Sequence, residues 1–364
     1  MPENFNIATV LIAPLDWGLG HATRCIPLIR ALHQKGLRVY IGAEGAQAVL
    51  LQKEFPQLTI LPLEGYRVRY SKYPRLFAWN MLFQLPRISR QIKKEHQWLE
   101  TSIKKYSIDL VISDNRYGLF SRSIPCVFIT HQLSIQAPVK WMKRLIQKIN
   151  YAYIRQFTAC WIPDRADEPS AAGELSHPEL FPDTKVHYMG LLSRFEFEAA
   201  QPMFELCILL SGPEPQRSML EKQLLQETSS FSGKILLVRG KPGEEQVPAL
   251  AANITVANHL EGKELVNAIR QTELIICRSG YTTVMELLSL QKKAILIPTP
   301  GQTEQEYLAG RLEQQGVFMQ CRQSEINLKK MMAGAKTFPF KQLSIPVFNN
   351  EQMEVLLQAL VKKQ

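Results

Sequence analysis

A histidine follows two closely spaced glycines early in the chain, in the segment "PLDWGLGHATRCIPLIRAL" that begins at Pro14. Gly18 and Gly20 allow the backbone to turn tightly and approach a ligand, and the apolar run "ATVLIA" before them predicts a buried strand. His21 then starts a helical pattern, where a neutral imidazole can act as a general base near pH 7. The residues leave a second interpretation open, in which His21 only caps the turn through hydrogen bonds.

An acidic group is expected near this histidine. Asp114, in "SDNRYGLF", directly follows the predicted strand Asp109–Ser113. Because ligands of open parallel sheets bind outside the carboxyl ends of the strands, we expect Asp114 to point toward His21 and to orient its imidazole. The alternative is that Asp114 caps the next helix, which is a common role for aspartate. Asp16 is the reserve candidate for the base.

Groups suited to a phosphorylated sugar occur in the second half of the chain. After the apolar run "ELIIC", the segment "RSGYTT" forms a glycine turn that opens a helix, whose N–H groups and dipole favour a diphosphate. Glu286 follows on that helix and can accept hydrogen bonds from two ribose hydroxyls, although it can also be a solvated helical glutamate. Gln302 and Gln305, in "IPTPGQTEQEYLA", follow the next predicted strand and suit sugar hydroxyls. Gly212, in "LLSGPEPQRS", gives a weaker phosphate signal.

The elements that carry these residues alternate between short β-branched runs and helical patterns. This alternation predicts an α/β protein with parallel, doubly wound sheets. The pattern restarts with the strand "ELCILL" after "VHYMGLLSRFEFEAAQP", so we expect two similar Rossmann-like domains that face each other across a cleft. The tail "NEQMEVLLQALVKK" predicts an amphipathic helix.

Composition narrows the class of protein. The 364 residues carry a net charge of +10, which favours anionic partners. No run approaches 18 apolar residues, the amino terminus lacks the features of a signal peptide, and the six cysteines form neither CxxC pairs nor a metal-ligand pattern. We therefore expect a cytoplasmic protein that binds no metal and no cofactor.

The segment "CRSGYTTVMELLSLQKKAILIP", with the "P…Q…Y" pattern after it, resembles the nucleotide-sugar signature of glycosyltransferase family 28, which includes the peptidoglycan N-acetylglucosamine transferase MurG. "GLGH" is similar to the amino-terminal glycine-rich loop of that family. The resemblance implies a GT-B fold with an acceptor-side domain over 1–195, a nucleotide-sugar domain over 196–345 and a carboxyl-terminal helix over 346–364 that crosses back to the first domain. It further implies metal-independent, inverting transfer from a UDP-sugar such as UDP-GlcNAc.

The resemblance also implies roles for individual residues. His21 matches the proposed base of the family, and Asp114 lies where related enzymes carry the partner of that base. Glu286 would hold the ribose, Gln305 would reach the donor sugar, and backbone at Leu260 would contact uracil. The remaining donor-binding positions lie in the three glycine-containing loops and beside them: Gly18, Gly20, Gly212, Arg278, Ser279, Gly280, Tyr281, Thr282 and Gln302. The loop "DWGLGH" and the segment "SDNRYG" depart from the MurG pattern, which separates this chain from MurG itself and leaves the acceptor open.

A basic and aromatic segment, residues 66–94, has two interpretations. One is a surface that brings the protein to an anionic membrane carrying a lipid-linked acceptor, and the other is a helix with a solvated basic face. No nucleic-acid-binding signature accompanies it, so we expect no nucleic-acid partner. Two other functions remain open for the chain. One is a UDP-sugar hydrolase or 2-epimerase on the same fold, and the other is a non-catalytic subunit that binds a sugar nucleotide.

Overall fold

The computed structural model describes residues 7–67, 77–136, 139–229 and 231–361. The chain divides into two compact units, and both are built on an all-parallel sheet whose strands alternate with helices. Among the described residues, unit 1 comprises 7–194 with 345–361, and unit 2 comprises 195–344. This architecture confirms the predicted α/β class with two Rossmann-like sheets.

Unit 1 contains a seven-stranded sheet in the order β3-β2-β1-β4-β5-β6-β7. Its strands are β1 (Thr9–Pro14), β2 (Arg38–Ala43), β3 (Thr59–Pro62), β4 (Leu110–Asp114), β5 (Cys126–Ile129), β6 (Ala159–Ile162) and β7 (Lys185–Tyr188). Its first four helices are α1 (Leu19–Gln34), α2 (Gly45–Glu54), α3 (Phe77–Tyr106) and α4 (Lys140–Ile154). The central strands β1, β4 and β5 are completely buried, which explains why the sequence shows them as continuous apolar runs.

Unit 2 contains a six-stranded sheet in the order β10-β9-β8-β11-β12-β13. Its strands are β8 (Phe204–Leu209), β9 (Ile235–Val238), β10 (Ile254–Ala257), β11 (Thr272–Cys277), β12 (Lys293–Leu296) and β13 (Met319–Gln320). Its helices are α5 (Gln216–Thr228), α6 (Gly262–Arg270), α7 (Tyr281–Ser289), α8 (Thr303–Gln314) and α9 (Leu328–Thr337). Its core includes Ile208, Leu237, Ile276 and Ile295, one from each of four adjacent strands.

The last helix, α10 (Asn350–Val361), belongs to unit 1, as predicted for a tail that returns to the first domain. It packs beside α1, and Nζ of Lys35 lies 3.0 Å from a carboxylate oxygen of Glu354. Met353 and Leu356 are its buried residues. The segment before α10 pairs with Leu191 in a short parallel bridge, so the return is held by backbone bonds as well as side chains.

The two strands that the sequence did not reveal are β7 and β13, and both lie at the edge of a sheet. β7 has no completely buried residue, and β13 has only two residues. Short edge strands need few apolar side chains, so they lack the periodic signal that identifies the central strands.

Candidate active site

The central site of unit 1 lies at the carboxyl ends of three neighbouring strands. β1 lies between β2 and β4, so consecutive strands are added on opposite sides of it, and ligands of such sheets bind at this switch point. Pro14 at the end of β1 is in register with Asp114 at the end of β4, which in turn is in register with Ile129 of β5. The side chains that follow these strand ends are therefore brought together.

The loop between β1 and α1 is fixed by one glycine and one glutamine. Gly18 has φ 82° and ψ 175°, a conformation that side-chain-bearing residues rarely adopt, whereas Gly20 lies inside the first turn of α1. Nε2 of Gln47, on α2, donates to the carbonyls of Leu15 at 2.6 Å and Gly18 at 2.8 Å. The expectation that both glycines form the turn is thus corrected, because only Gly18 has the left-handed conformation.

His21 and Asp114 are in contact, although 93 residues separate them in the sequence. Nδ1 of His21 lies 2.8 Å from Oδ2 of Asp114. The side chain of Asp114 is completely buried, and that of His21 is 15% exposed. Nε2 of His21 has no hydrogen-bond partner among the described residues, so this nitrogen is available for a reacting group.

A third residue, Arg24, joins the pair and was not anticipated from the sequence. Its Nε donates to both oxygens of Asp114 at 2.9 Å, and its Nη2 donates to Oδ1 as well. The same Nη2 lies 2.9 Å from Nδ1 of His21, and Nη1 lies 3.5 Å from Nδ1 of His131, just after β5. Arg24 is one helical turn after His21, so its position on the same face of α1 was the available signal.

These contacts determine the protonation states of His21 and Asp114. Burial lowers the pKa of His21 below 6.5, and the positive charge of Arg24 adds to this effect, while Asp114 opposes it. For Asp114, burial favours the protonated form, yet Arg24 and His21 together lower its pKa below the ordinary value. At neutral pH the cluster therefore holds an ionised aspartate beside a neutral imidazole.

Asp16, the reserve candidate for the base, binds backbone instead. Its two carboxylate oxygens accept hydrogen bonds from the N–H groups of Tyr66 at 2.9 Å and Arg67 at 2.8 Å. Gly65 passes so close that a Cβ at this position would collide with the carboxylate. Asp16 thus connects the loop after β1 to the loop after β3.

Arg116, in the segment "SDNRYG", forms a second buried ion pair, and its partner is Glu95 of α3. Nε of Arg116 binds Glu95 of α3, and Nη1 of Arg116 donates to the carbonyl of Pro14 at 3.1 Å. The hydroxyl of Tyr66 donates to Glu95 at 2.8 Å. Arg116 and Glu95 are almost completely buried, so this pair fixes the ends of β1 and β4 against α3.

In unit 2, the loop after β11 brings together several of the predicted donor-binding residues. The Ser279 hydroxyl is buried and donates to the carbonyl of Gln305 at 2.8 Å, while the amide of Gln305 donates to Gln302 at 2.5 Å. Gly280 directly precedes α7, and no heavy atom outside its immediate chain neighbours lies within 4 Å of the position that a Cβ would take. The space beside Gly280, directly before α7, is therefore open, and an anion is favoured near a helix amino terminus. Tyr281, Thr282 and Glu286 lie on α7.

Arg278 connects three strand-end segments of unit 2. Its guanidinium donates to the carbonyls of Ile297 at 3.2 Å, Pro298 at 3.1 Å and Gln216 at 3.0 Å. Burial lowers its pKa to about 10, so it remains protonated at neutral pH. Arg278 thus places a positive charge directly before the Ser279–Gly280 turn.

The two other predicted donor-binding positions of unit 2 lie in separate loops at the same edge of the sheet. Gly212, with φ 100°, follows β8, and Leu260 follows β10. A charged network that the sequence did not reveal supports these loops: Glu221 of α5 binds both Arg217 and Arg239, and Arg239 donates to Asn258 at 2.8 Å. Within the described residues, no group of three or more metal-ligand side chains occurs, and no helix is long and apolar enough to cross a membrane.

Comparison with known proteins places the chain among glycosyltransferases. Residues 216–353 match the glycosyltransferase family 28 C-terminal domain. The UDP-N-acetylglucosamine–N-acetylmuramyl-(pentapeptide) pyrophosphoryl-undecaprenol N-acetylglucosamine transferase of Listeria welshimeri is 22% identical, with 86% of each chain covered. MurG of Acinetobacter baumannii has a TM-score of 0.56 and 16% identity over 98% of this chain and 95% of its own. SnogD of Streptomyces nogalater has a TM-score of 0.61 and 14% identity over 97% and 99%.

The fold of the two units and these solved structures agree with the GT-B architecture that the sequence predicted. The low identity to the Listeria transferase fits a relative of MurG that is not MurG itself. From the matched domain, the similarity over 86% of the chain and the fold, we conclude that the protein is a glycosyltransferase whose residues 216–353 are similar to the family 28 C-terminal domain.

Proposed function

We propose that the protein transfers a sugar from a UDP-sugar of the UDP-GlcNAc type to a lipid-linked acceptor, with inversion at the anomeric carbon and without a metal ion. The observation that carries this proposal is the open space beside Gly280, which lies between the buried Arg278 and the start of α7 in the region that matches the family 28 domain. Backbone N–H groups at the start of a helix, with a buried guanidinium beside them, can compensate the charge of a diphosphate. The acceptor class comes from the name of the Listeria relative.

In the proposed reaction, the acceptor hydroxyl attacks the anomeric carbon of the donor sugar while Nε2 of His21 takes the hydroxyl proton. The bond between that carbon and the diphosphate oxygen breaks, and UDP leaves with the electron pair. Asp114 holds Nδ1 of His21 and compensates the imidazolium that forms. The N–H groups at Ser279–Thr282 would stabilise the departing diphosphate, and Glu286 would hold the ribose.

UDP release from a panel of UDP-sugars tests this proposal, with and without a membrane lipid extract and in the presence of EDTA. We expect release from one sugar nucleotide that lipid stimulates, that EDTA leaves unchanged and that Glu286→Ala abolishes. Glu273→Ala is the matched control, because Glu273 is an exposed glutamate at the beginning of β11. Rapid release without lipid would instead establish a hydrolase, and no release together with no UDP binding in calorimetry would refute the donor assignment.

We further propose that unit 1 contacts an anionic bilayer through α4. Trp141, Leu145 and Ile149, spaced four residues apart, are 63%, 49% and 44% exposed and form an apolar stripe. Residues 139–155 contain five basic residues and no acidic one, so the helix combines an apolar face with positive charge. Part of the segment that the sequence indicated for this role, residues 68–76, lies outside the described residues. In its described part, Arg87, Arg90, Lys93 and Lys94 are exposed and Ile92 is buried.

Flotation with phosphatidylcholine vesicles, with and without phosphatidylglycerol, tests this contact. We expect binding that requires the anionic lipid, weakens with salt and is lost in Trp141→Ser/Leu145→Ser. Val355→Ser is the control, since Val355 is an exposed apolar residue on α10. Equal flotation of the double variant and the wild type would show that α4 does not carry the interaction.

A further inference from the structure

Arg24 occupies the centre of the His21–Asp114 cluster. Its side chain is 2% exposed, and its guanidinium contacts both oxygens of Asp114 and approaches Nδ1 of His21. The carboxylate of Asp114 therefore contacts the planar guanidinium through both oxygens and the imidazole through Oδ2, and the Cys25 thiol lies 3.9 Å from the same Oδ2. A simple His–Asp pair would have only the contact with the imidazole.

We propose that Arg24 is a positioning residue for the transfer reaction. Its guanidinium holds the carboxylate of Asp114 so that His21 stays neutral with its Nε2 unprotonated. This inference rests on the proposed role of His21 as the base. It assigns to Arg24 the control of the base's tautomer and charge, and it assigns no contact between Arg24 and the substrate.

The hydrogen-bond chemistry selects one tautomer. Arg24 can only donate, and ionised Asp114 can only accept. Nδ1 of His21 lies within hydrogen-bond distance of both groups and can make only one of the two bonds. With a proton on Nδ1, His21 donates to Asp114 while Nη2 of Arg24 donates to the other carboxylate oxygen, so both contacts to the carboxylate pair a donor with an acceptor. The opposite tautomer would direct the Nδ1 lone pair at the carboxylate.

The charges of the cluster favour the neutral imidazole. With His21 neutral, the charges of Arg24 and Asp114 cancel, whereas protonation of His21 leaves a buried net charge of +1. The groups recorded around His21 are Arg24 on α1, Asp114 at the end of β4 and His131 after β5, and Asp114 is the only carboxylate among these neighbours. Without Arg24, protonation of His21 would instead neutralise Asp114 and would become favourable.

The test is an NMR titration of the His21 ring proton in the full-length protein, assigned by its loss in His21→Gln. Arg24→Met should shift the titration midpoint of His21 upward by about one pH unit or more, a tenfold gain in proton affinity. Arg24→Lys keeps the charge and should shift it less. Arg30→Met is the matched control, because Arg30 lies on α1, is half exposed and pairs with Glu54. If Arg24→Met does not fold, Arg24→Gln replaces it with the same expectation.

Activity supplies the second measurement. The acidic limb of kcat/KM against pH should move upward with the NMR midpoint in Arg24→Met, whereas a purely structural role would lower activity equally at all pH values. An unchanged or lowered midpoint in both neutral Arg24 variants, or an unmoved acidic limb, would overturn the proposal for Arg24. Full turnover of His21→Gln would instead refute His21 as the base, and the titration needs no substrate, so the two failures are distinguishable.

Discussion

Replacing Asp114 with asparagine tests the central contacts of unit 1. The substitution keeps the shape of the side chain but removes its charge and turns one acceptor into a donor. In the structure the carboxylate accepts from Arg24 on both oxygens and lies 2.8 Å from Nδ1 of His21. We therefore expect separate effects on stability and on turnover.

The stability effect follows from the buried guanidinium. Removing one partner of a buried ion pair costs about 3–5 kcal/mol, because the other charge remains buried without compensation. The amide oxygen of asparagine still accepts one bond from Arg24, so we expect the free energy of unfolding to fall by about 3 kcal/mol. For a unit of this size, that corresponds to a lower melting temperature by about 6–12 °C, measurable by circular dichroism.

The effect on turnover follows from the tautomer of His21. When the asparagine oxygen accepts from Arg24, its NH₂ group faces Nδ1 of His21 and donates to it. The imidazole proton then lies on Nε2, so His21 cannot accept a proton there. General-base catalysis contributes about 10²–10⁴-fold, and we expect kcat to fall by at least about 100-fold at saturating donor. The assay is UDP release at a temperature where the variant is folded.

Asp109→Asn is the matched control for both measurements. Asp109 immediately precedes β4, and one of its oxygens accepts the backbone N–H groups of Ala8 at 3.0 Å and Thr9 at 2.8 Å. It lies at the opposite end of the sheet from Asp114, so its replacement should reduce stability with little change in kcat. Wild-type kcat in Asp114→Asn, or an equal loss of kcat in Asp109→Asn, would refute the assignment of Asp114.

Three further predictions concern stability. Gly65→Ala should lower the free energy of unfolding by about 1–3 kcal/mol in urea titration, because its Cβ would displace Asp16; an unchanged midpoint would contradict this contact. Arg116→Met should cost about 3–5 kcal/mol, because Glu95 stays buried without its partner, and Arg116→Met/Glu95→Leu should recover much of the loss. His21 has a pKa below 6.5 in the fold, so its contribution to stability is complete above pH 6.5 and decreases below it; His21→Gln should reduce this slope in denaturation at several pH values.

The sequence could predict which site residues lie at the carboxyl ends of the strands. A buried apolar run marks each central strand, and the residue after it must lie at the carboxyl edge of a parallel sheet. This reasoning brought His21 and Asp114 to the same edge, and the structure places them in contact. It also selected Ser279, Gln302 and Gln305, which the structure connects through hydrogen bonds.

Other features depend on tertiary contacts that no local pattern encodes. Asp16 follows β1 and Asp114 ends β4, yet Asp16 binds the N–H groups of a loop about 50 residues away while Asp114 contacts a histidine and an arginine. Arg24 is surrounded in sequence by apolar and small residues, and nothing in this pattern identifies its partner. The role of Arg116 in "SDNRYG" likewise requires the glutamate of α3 to be known.

The two units differ in how the chemistry proposed for them is encoded in the sequence. In unit 2 the proposed donor site is built mainly from backbone: a helix amino terminus, a glycine and a buried arginine that binds carbonyl groups. A short motif specifies such a site almost completely, and the family 28 match over residues 216–353 includes it. In unit 1 the proposed base depends on side chains from α1, β4 and the segment after β5. Different side chains on the same strand ends would suit a different acceptor, so "DWGLGH" and "SDNRYG" can depart from the MurG pattern while the fold is retained.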